Sequence, residues 1–386
     1  MQLGAASLVA AEARAGSTTI QGRHRARDLG IRIGRMPTGP KNGITDVTGV
    51  EVGHATIIRG EGALEIGKGP IRTGVTAIWP HRGIVDEFLP CGIDAPNGNG
   101  ELSGMLQAKR MGVLNSPICL TNTSSVGMVY DALQTLQPKD LRPAGTPVVG
   151  ETWDAELNDT VGRHVTSEHV IEALKNANSG PVTEGAVGGG TGMICYEYKG
   201  GIGTASRLVE SNTESYTVGA LVQANHGARA LLRIDGVAVG AELAARNKPE
   251  ISPDLNSIIM IVATDAPLLS HQLDRLSRRA THGLAKTGSI SGNGSGDFTM
   301  AFSTGNRVPR DAFYGSTAYQ LQSIEQFQLG PYLEAVSESI EEAIVNALCM
   351  AEDMTGINGN FVPALPLVQT IDLMRKHGRI AGTGHE

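Results

Sequence analysis

Apolar positions along the chain change their period several times, and each change marks an element. From residue 44, ITDVTGVEVGHATII and TGVTAIWP cluster or alternate β-branched residues between glycine turns, which predicts strands joined by hairpins. After NGNG, the stretch ELSGMLQAKRMGVL sets Leu102, Met105 and Leu106 at one-face helical spacing, and SSVGMVYDALQTL repeats the pattern with Val126, Val129, Tyr130 and Leu133. PVVGETWDAELND predicts a short strand that turns polar at Glu151, and SEHVIEALKNA predicts a helix. TEGAVGGGTGMICYEYKGGIGTASRLV is glycine-dense and then strand-like, and YTVGALVQANHG reads as an apolar strand with a polar end.

The second half is more sharply patterned. Residues 240 to 256, GAELAARNKPEISPDLN, carry charge and proline without periodicity and read as a linker that stops at Ser257. SIIMIVATDAPL then predicts an apolar strand, with Asp265 and Pro267 as cap and first-turn residue of a helix. That helix carries Leu269, Leu273, Leu276, Ala280 and Leu284 on one stripe and stops at Gly288. The loop TGSISGNGSGDF leads into a strand FTMAFST and a long helix PYLEAVSESIEEAIVNALCMAE, in which Leu333, Val336, Ile340, Ile344 and Leu348 keep register. Grouped strands and grouped helices predict layered α+β packing over a doubly wound parallel sheet, with no internal repeat. Residues 1 to 40 are polar and Arg-containing and read as a loosely held lead-in, so that a single domain spans 41 to 386.

Composition narrows the function. The 386 residues are 40% hydrophobic, enough to bury a large core, and 50 glycines with only 4% aromatic residues favour tight turns and close backbone approach over stacking platforms. A net charge of −7 without a Lys/Arg cluster argues against a nucleic-acid partner. Cys91, Cys119, Cys195 and Cys349 are widely separated and read as buried reduced thiols, and the ten histidines include no H-E-x-x-H, so no metal site and no cofactor are expected. The opening residues lack the positive start of a signal peptide, and no apolar run is long enough to span a membrane. A cytoplasmic protein is therefore expected, with export as the alternative.

Candidate chemistry centres on the junction of the linker and the apolar strand, Asn256-Ser257. A serine hydroxyl is a weak nucleophile without a base beside it, and one solution is the residue's own α-amine, with a pKa of about 8 once the preceding bond is cut. A flexible linker ending at a rigid strand suits an intramolecular cut, although serines ahead of apolar strands are common and spacing alone does not single this one out. SGNGSGD, GAVGGGTG and NGNGELSG fit neither G-x-G-x-x-G nor a P-loop, and G-x-S-x-G is absent.

In order along the chain, NGITDVTGVEVGH, NGNGELSG, NTSSVG, PVVGETWD, EGAVGGGTGM, QANHGAR, NSIIMIVATDAPL and TGSISGNGSGD resemble the DmpA family of L-aminopeptidase/D-amidase-esterases and β-peptidyl aminopeptidases, from about residue 40 onward. The resemblance implies a four-layer αββα sandwich of the Ntn-hydrolase type that cuts itself into an α chain, 1 to 256, and a β chain, 257 to 386. It also implies a tetramer of αβ pairs acting without a cofactor on small peptides, amides or esters that carry a free amine. By the matching motifs, Ser257 is the expected nucleophile and Asn225 an oxyanion-hole donor. Ser295 and Asp297 are expected to orient and polarise the nucleophile's surroundings, and Glu151 to receive the substrate's amino group. Some members carry Tyr where this chain has Trp153, whose N–H donates without exchanging a proton as a phenol does, and Trp153 is read as a wall of the substrate pocket. Some relatives carry Gly where Asn256 precedes the scissile bond. The rival readings are an acyltransferase of the ornithine acetyltransferase type, which relies on Thr at the junction, and an unprocessed binding relative.

Overall fold

The apolar run that opens at Ser257 forms the interior strand Ser257–Thr264, with every residue buried in the computed structural model, which describes residues 22–136, 145–210, 214–244, 257–315 and 318–380. Both faces are covered, which is why the run is continuously apolar rather than alternating. Ile258, Met260 and Val262 pack toward a helical layer, whereas Ile259, Ile261 and Ala263 pack toward a second sheet. The strand pairs parallel to Gly296–Ser303 and antiparallel to Ser215–Asn225, with Ser257 opposite Gly296 on one side and Asn225 on the other. Glu87–Gly98 and Gly201–Glu210 extend this seven-stranded sheet outward.

The second sheet has four strands, Glu51–Arg59, Ile71–Trp79, Ile118–Asn122 and Val148–Thr152, in that order. One apolar cluster fills the space between the sheets. Another lies under the helices Val126–Gln134 and Ser167–Asn176 on the outer face of the smaller sheet. A third joins the larger sheet to the helices Ser270–Lys286 and Gly330–Met350. The layers therefore run α, β, β, α, as expected. Gly203 permits close approach of the larger sheet to the long helix: a Cβ there would lie 1.9 Å from the carbonyl oxygen of Ala343.

Several expectations change. The segment 22–40 is not a loose lead-in: Ala26, Ile31 and Ile33 are fully buried in the helix-side core. The long helix is buried on more than its apolar stripe, because Glu338 and Glu342 meet cations. Arg207, itself fully buried, places Nε 2.7 Å from Glu338 and Nη2 2.7 Å from Glu342, and Arg27 Nε lies 2.8 Å from Glu342. Arg27→Met is expected to lower unfolding free energy by about 1–2 kcal/mol, by loss of charge-assisted hydrogen bonds to Glu342, measured as a shift in the urea midpoint. No shift would return residues 22–40 to the status of a loose leader.

Glu87–Gly98, a twelve-residue strand, has no counterpart in the sequence reading. The helix expected over 101 to 114 shrinks to Met105–Met111, with Leu102 buried ahead of it and Leu106 80% exposed. Asp265 does not cap the following helix. Its Oδ1 accepts the Thr217 N–H at 2.7 Å, and the helix starts at Ser270 with the Gln272 side chain accepting the Leu269 N–H. The four cysteines are buried and unbridged, as expected. Among the described residues, no helix is long and apolar enough to cross a membrane.

Candidate active site

Strand ends from both sheets meet at one edge of the sandwich. Ile118–Asn122 and Val148–Thr152 run parallel, so Thr123 and Trp153 follow their C-terminal ends side by side. In the facing sheet, Gly98, Asn225, Ser257 and Gly296 arrive at the same edge through the pairings of Gly296 with Gly98 and of Ser257 with Asn225 and Gly296. A pocket of 230 Å³ opens between them, lined by Asn99, Gly100, Thr123, Glu151, Trp153, Ser257 and Gly294.

Ser257 is nearly buried, and its Oγ accepts the backbone N–H of Gly296 at 3.2 Å. The approach of Gly296 requires a missing side chain, since a Cβ there would stand 2.5 Å from the Asn99 carbonyl oxygen. Glu151 lies inside its strand rather than in a polar segment beyond it, and is 4% exposed. Its Oε1 accepts the Glu101 N–H at 2.9 Å, and the Thr123 hydroxyl donates to Oε2. Burial holds the Glu151 carboxyl above the usual carboxylate range, against the opposing pull of these hydrogen bonds. Among the described lining residues, Glu151 is the one acidic or basic side chain in the pocket.

Asn225 is held in a fixed orientation: Oδ1 accepts the Ile194 N–H at 2.7 Å, and Nδ2 donates to the Trp153 carbonyl at 2.9 Å. The amide nitrogen carries two hydrogens, so one remains for an oxyanion. The Ile194 turn is itself pinned by Lys199, fully buried, whose Nζ donates to the carbonyls of Met193 at 2.7 Å, Gly200 at 3.0 Å and Gly190 at 3.3 Å. Burial lowers the Lys199 pKa to about 7. Ser295 Oγ donates to Asp297 Oδ1 at 2.6 Å, and burial raises the Asp297 carboxyl. This bonded pair flanks Gly296, and Ser295 lines a neighbouring cavity rather than the pocket that holds Ser257. Asn256 lies outside the described residues.

Of the expected residues, Ser257, Glu151 and Trp153 thus share one pocket, with Asn225 bonded to the Trp153 backbone. Thr123, the Gly296 N–H and Lys199 were not singled out from sequence. Nor was Asp154, fully buried, which accepts from Asn122 at 2.9 Å and Asn158 at 3.0 Å and so ties the two parallel strand ends together. Thr123 and Asp154 fall within motifs noted above, NTSSVG and GETWD, whereas nothing in the sequence marks a backbone N–H.

A hydroxyl at the head of a sheet-centre strand, faced by a second sheet and flanked by fixed amide donors, defines a serine-type hydrolase of Ntn-like architecture. The sequence pattern of peptidase family S58 matches residues 42–362, and the chain belongs to that family. It is 43% identical over 390 residues to the beta-peptidyl aminopeptidase BapA of Sphingosinicella microcystinivorans, covering 97% of this chain and 98% of that one. A solved Burkholderia sp. beta-aminopeptidase superposes with a TM-score of 0.85 at 44% identity, covering 92% of this chain and 99% of the other. The L-aminopeptidase D-Ala-esterase/amidase of Ochrobactrum anthropi superposes at 0.84 with 43% identity over the same shares, and its structure is reported as a variant of the Ntn hydrolase fold.

Proposed function

We propose that the chain is an aminopeptidase that cuts itself between Asn256 and Ser257 and then uses Ser257 to remove amino-terminal residues from short peptides, amides or esters. The observation that carries this reading is the pocket itself: a nucleophilic hydroxyl at the first residue of a strand, no histidine or lysine among the described lining residues, and a buried carboxylate across from it. A base is then needed from the backbone, and a cut ahead of Ser257 supplies the α-amine. The names of the relatives, beta-peptidyl aminopeptidase and L-aminopeptidase D-Ala-esterase/amidase, point to the same substrates.

In self-cleavage, the Ser257 oxygen attacks the Asn256 carbonyl, and the C–N bond breaks as the hydroxyl proton passes to the nitrogen, which frees the α-amine and leaves an ester. Water hydrolyses that ester to release the Asn256 carboxylate and restore the Ser257 hydroxyl. In turnover, the amine takes the Oγ proton as Oγ attacks the substrate carbonyl. The oxyanion is met by Asn225 Nδ2 and a backbone N–H, and the leaving nitrogen departs with the proton from the α-ammonium. Water then attacks the ester with the amine again as base, which restores the hydroxyl. Glu151 pairs with the substrate's ammonium, Trp153 walls the pocket, and the Ser295–Asp297 pair braces the turn ahead of Gly296. No metal or cofactor enters this scheme. Assembly into a tetramer of αβ pairs and a cytoplasmic setting, which the four unbridged cysteines fit, belong to the same reading.

The test is amino-terminal sequencing of the purified protein's fragments with a panel of α- and β-aminoacyl p-nitroanilides and their N-acetylated counterparts. The expected result is a fragment beginning at Ser257 and hydrolysis of free-amine substrates alone. Activity from a chain continuous across 256/257 would overturn the reading.

A further inference from the structure

Beyond Ser257 the edge carries a second cavity, of 180 Å³, bounded by the continuations of the two strands that flank the nucleophile. The chain after Asn225 supplies His226 to Ala228 and Leu231, and the loop ahead of Gly296 supplies Ser289, Ile290 and residues 292–295. Gly294 borders both this cavity and the Ser257 pocket. Its walls carry no acidic or cationic side chain among the described residues. His226 is buried, and desolvation lowers its pKa to about 3, so the ring is neutral, packed edge-on to Tyr196 with centroids 5.1 Å apart. On the rim stand two exposed aliphatics, Ile290 at 76% and Leu231 at 39%. Bulky apolar side chains left in water beside a nucleophile call for a partner, and the volume falls below the roughly 300–1,000 Å³ typical of sites for drug-sized ligands. It suits one side chain.

We propose that this cavity is the leaving-group subsite, receiving an apolar side chain of the residue that follows the scissile bond. The inference rests on the aminopeptidase reading above and fixes a direction for the substrate. Glu151 holds the amine on the inter-sheet side, so the acyl residue lies between the sheets. When the C–N bond breaks, the departing nitrogen takes the proton carried by the Ser257 α-ammonium and must therefore lie beside that amine, at the head of the strand. The head of the strand is flanked by the chain following Asn225 and the loop preceding Gly296, the two segments that form the cavity. A leucine or phenylalanine there covers Ile290 and Leu231, whereas glycine leaves them wet and aspartate brings an unpaired charge.

The experiment holds the acyl residue constant and varies the leaving residue among Leu, Phe, Gly and Asp, together with the methyl ester of the acyl residue, in the processed enzyme. The expected result is a kcat/KM for Leu or Phe roughly tenfold to a hundredfold above that for Gly. In Ile290→Asp and in Leu231→Ser that ratio collapses toward one. Equal rates for all four leaving residues, or a preference that survives both variants, would overturn the subsite while methyl ester hydrolysis still upholds Ser257 chemistry. Failure to cleave the ester as well would sink the aminopeptidase reading, and the subsite with it.

Discussion

Ser257→Ala is expected to yield a single uncut chain near 40.4 kDa that folds and has no aminopeptidase activity. The substitution removes both reactive groups at once. Without Oγ the Asn256 carbonyl is not attacked, so the α-amine is never released, and a substrate would find neither nucleophile nor base. Removal of a nucleophile alone costs on the order of 10⁴–10⁶-fold in serine hydrolases, and here the base disappears with it. The fold survives because the change is local: Ser257 heads the strand, and the seven residues behind it keep their pairing and burial. Losing the contact from the Gly296 N–H costs about 1 kcal/mol. Ser257→Cys is the companion, expected to process slowly because a thiolate is also a competent nucleophile. Denaturing electrophoresis with mass spectrometry reads both variants, and an alanine variant that still splits at 256/257 removes Ser257 from the mechanism.

The fold was legible where burial is symmetrical and pattern simple. Ser257–Thr264 is apolar at nearly every position because both its faces are covered, and Gly330–Met350 shows its stripe because one side packs on the sheet. Glu87–Gly98 was not legible. It contains Pro90, Gly92 and a polar tail, and Gly92 is there because Asp274 N would stand 2.1 Å from a Cβ. Residues 22–40 misled for another reason: their arginines look like solvated charge until carboxylates some 300 positions away are brought beneath them, and no local pattern encodes that pairing. In the site, Ser257, Asn225 and Glu151 stood out through motif resemblance, not through spacing. The Thr123–Glu151 contact arises only when the strands ending at Asn122 and Thr152 pair, and the cavity beside Ser295 only when the chain after Asn225 and the loop ahead of Gly296 flank the same strand.

Glu151→Gln separates substrate recognition from bond cleavage. The side chain keeps its shape, its oxygen still accepts the Glu101 N–H, and its amide faces Thr123, whose hydroxyl turns from donor to acceptor. What is lost is the charge proposed to face the substrate's ammonium. Unpairing a buried charge costs about 3 kcal/mol, so kcat/KM for free-amine substrates falls roughly a hundredfold, mostly through KM. Self-cleavage is expected to be untouched, because the Asn256-Ser257 peptide presents no amine to bind, so the variant should still appear as two fragments. The pH dependence moves with it. In the parent enzyme KM is expected to rise as pH drops through the raised Glu151 pKa, since protonation would remove the charge proposed to bind the ammonium; in the variant this acid limb is expected to flatten. Stability changes in the opposite sense. A carboxyl whose folded pKa lies above its unfolded value detracts from stability once pH exceeds that range, so at neutral pH the glutamine variant is expected to melt no lower than its parent. An unchanged KM in a fully processed Glu151→Gln enzyme would show that the substrate's amine is held elsewhere.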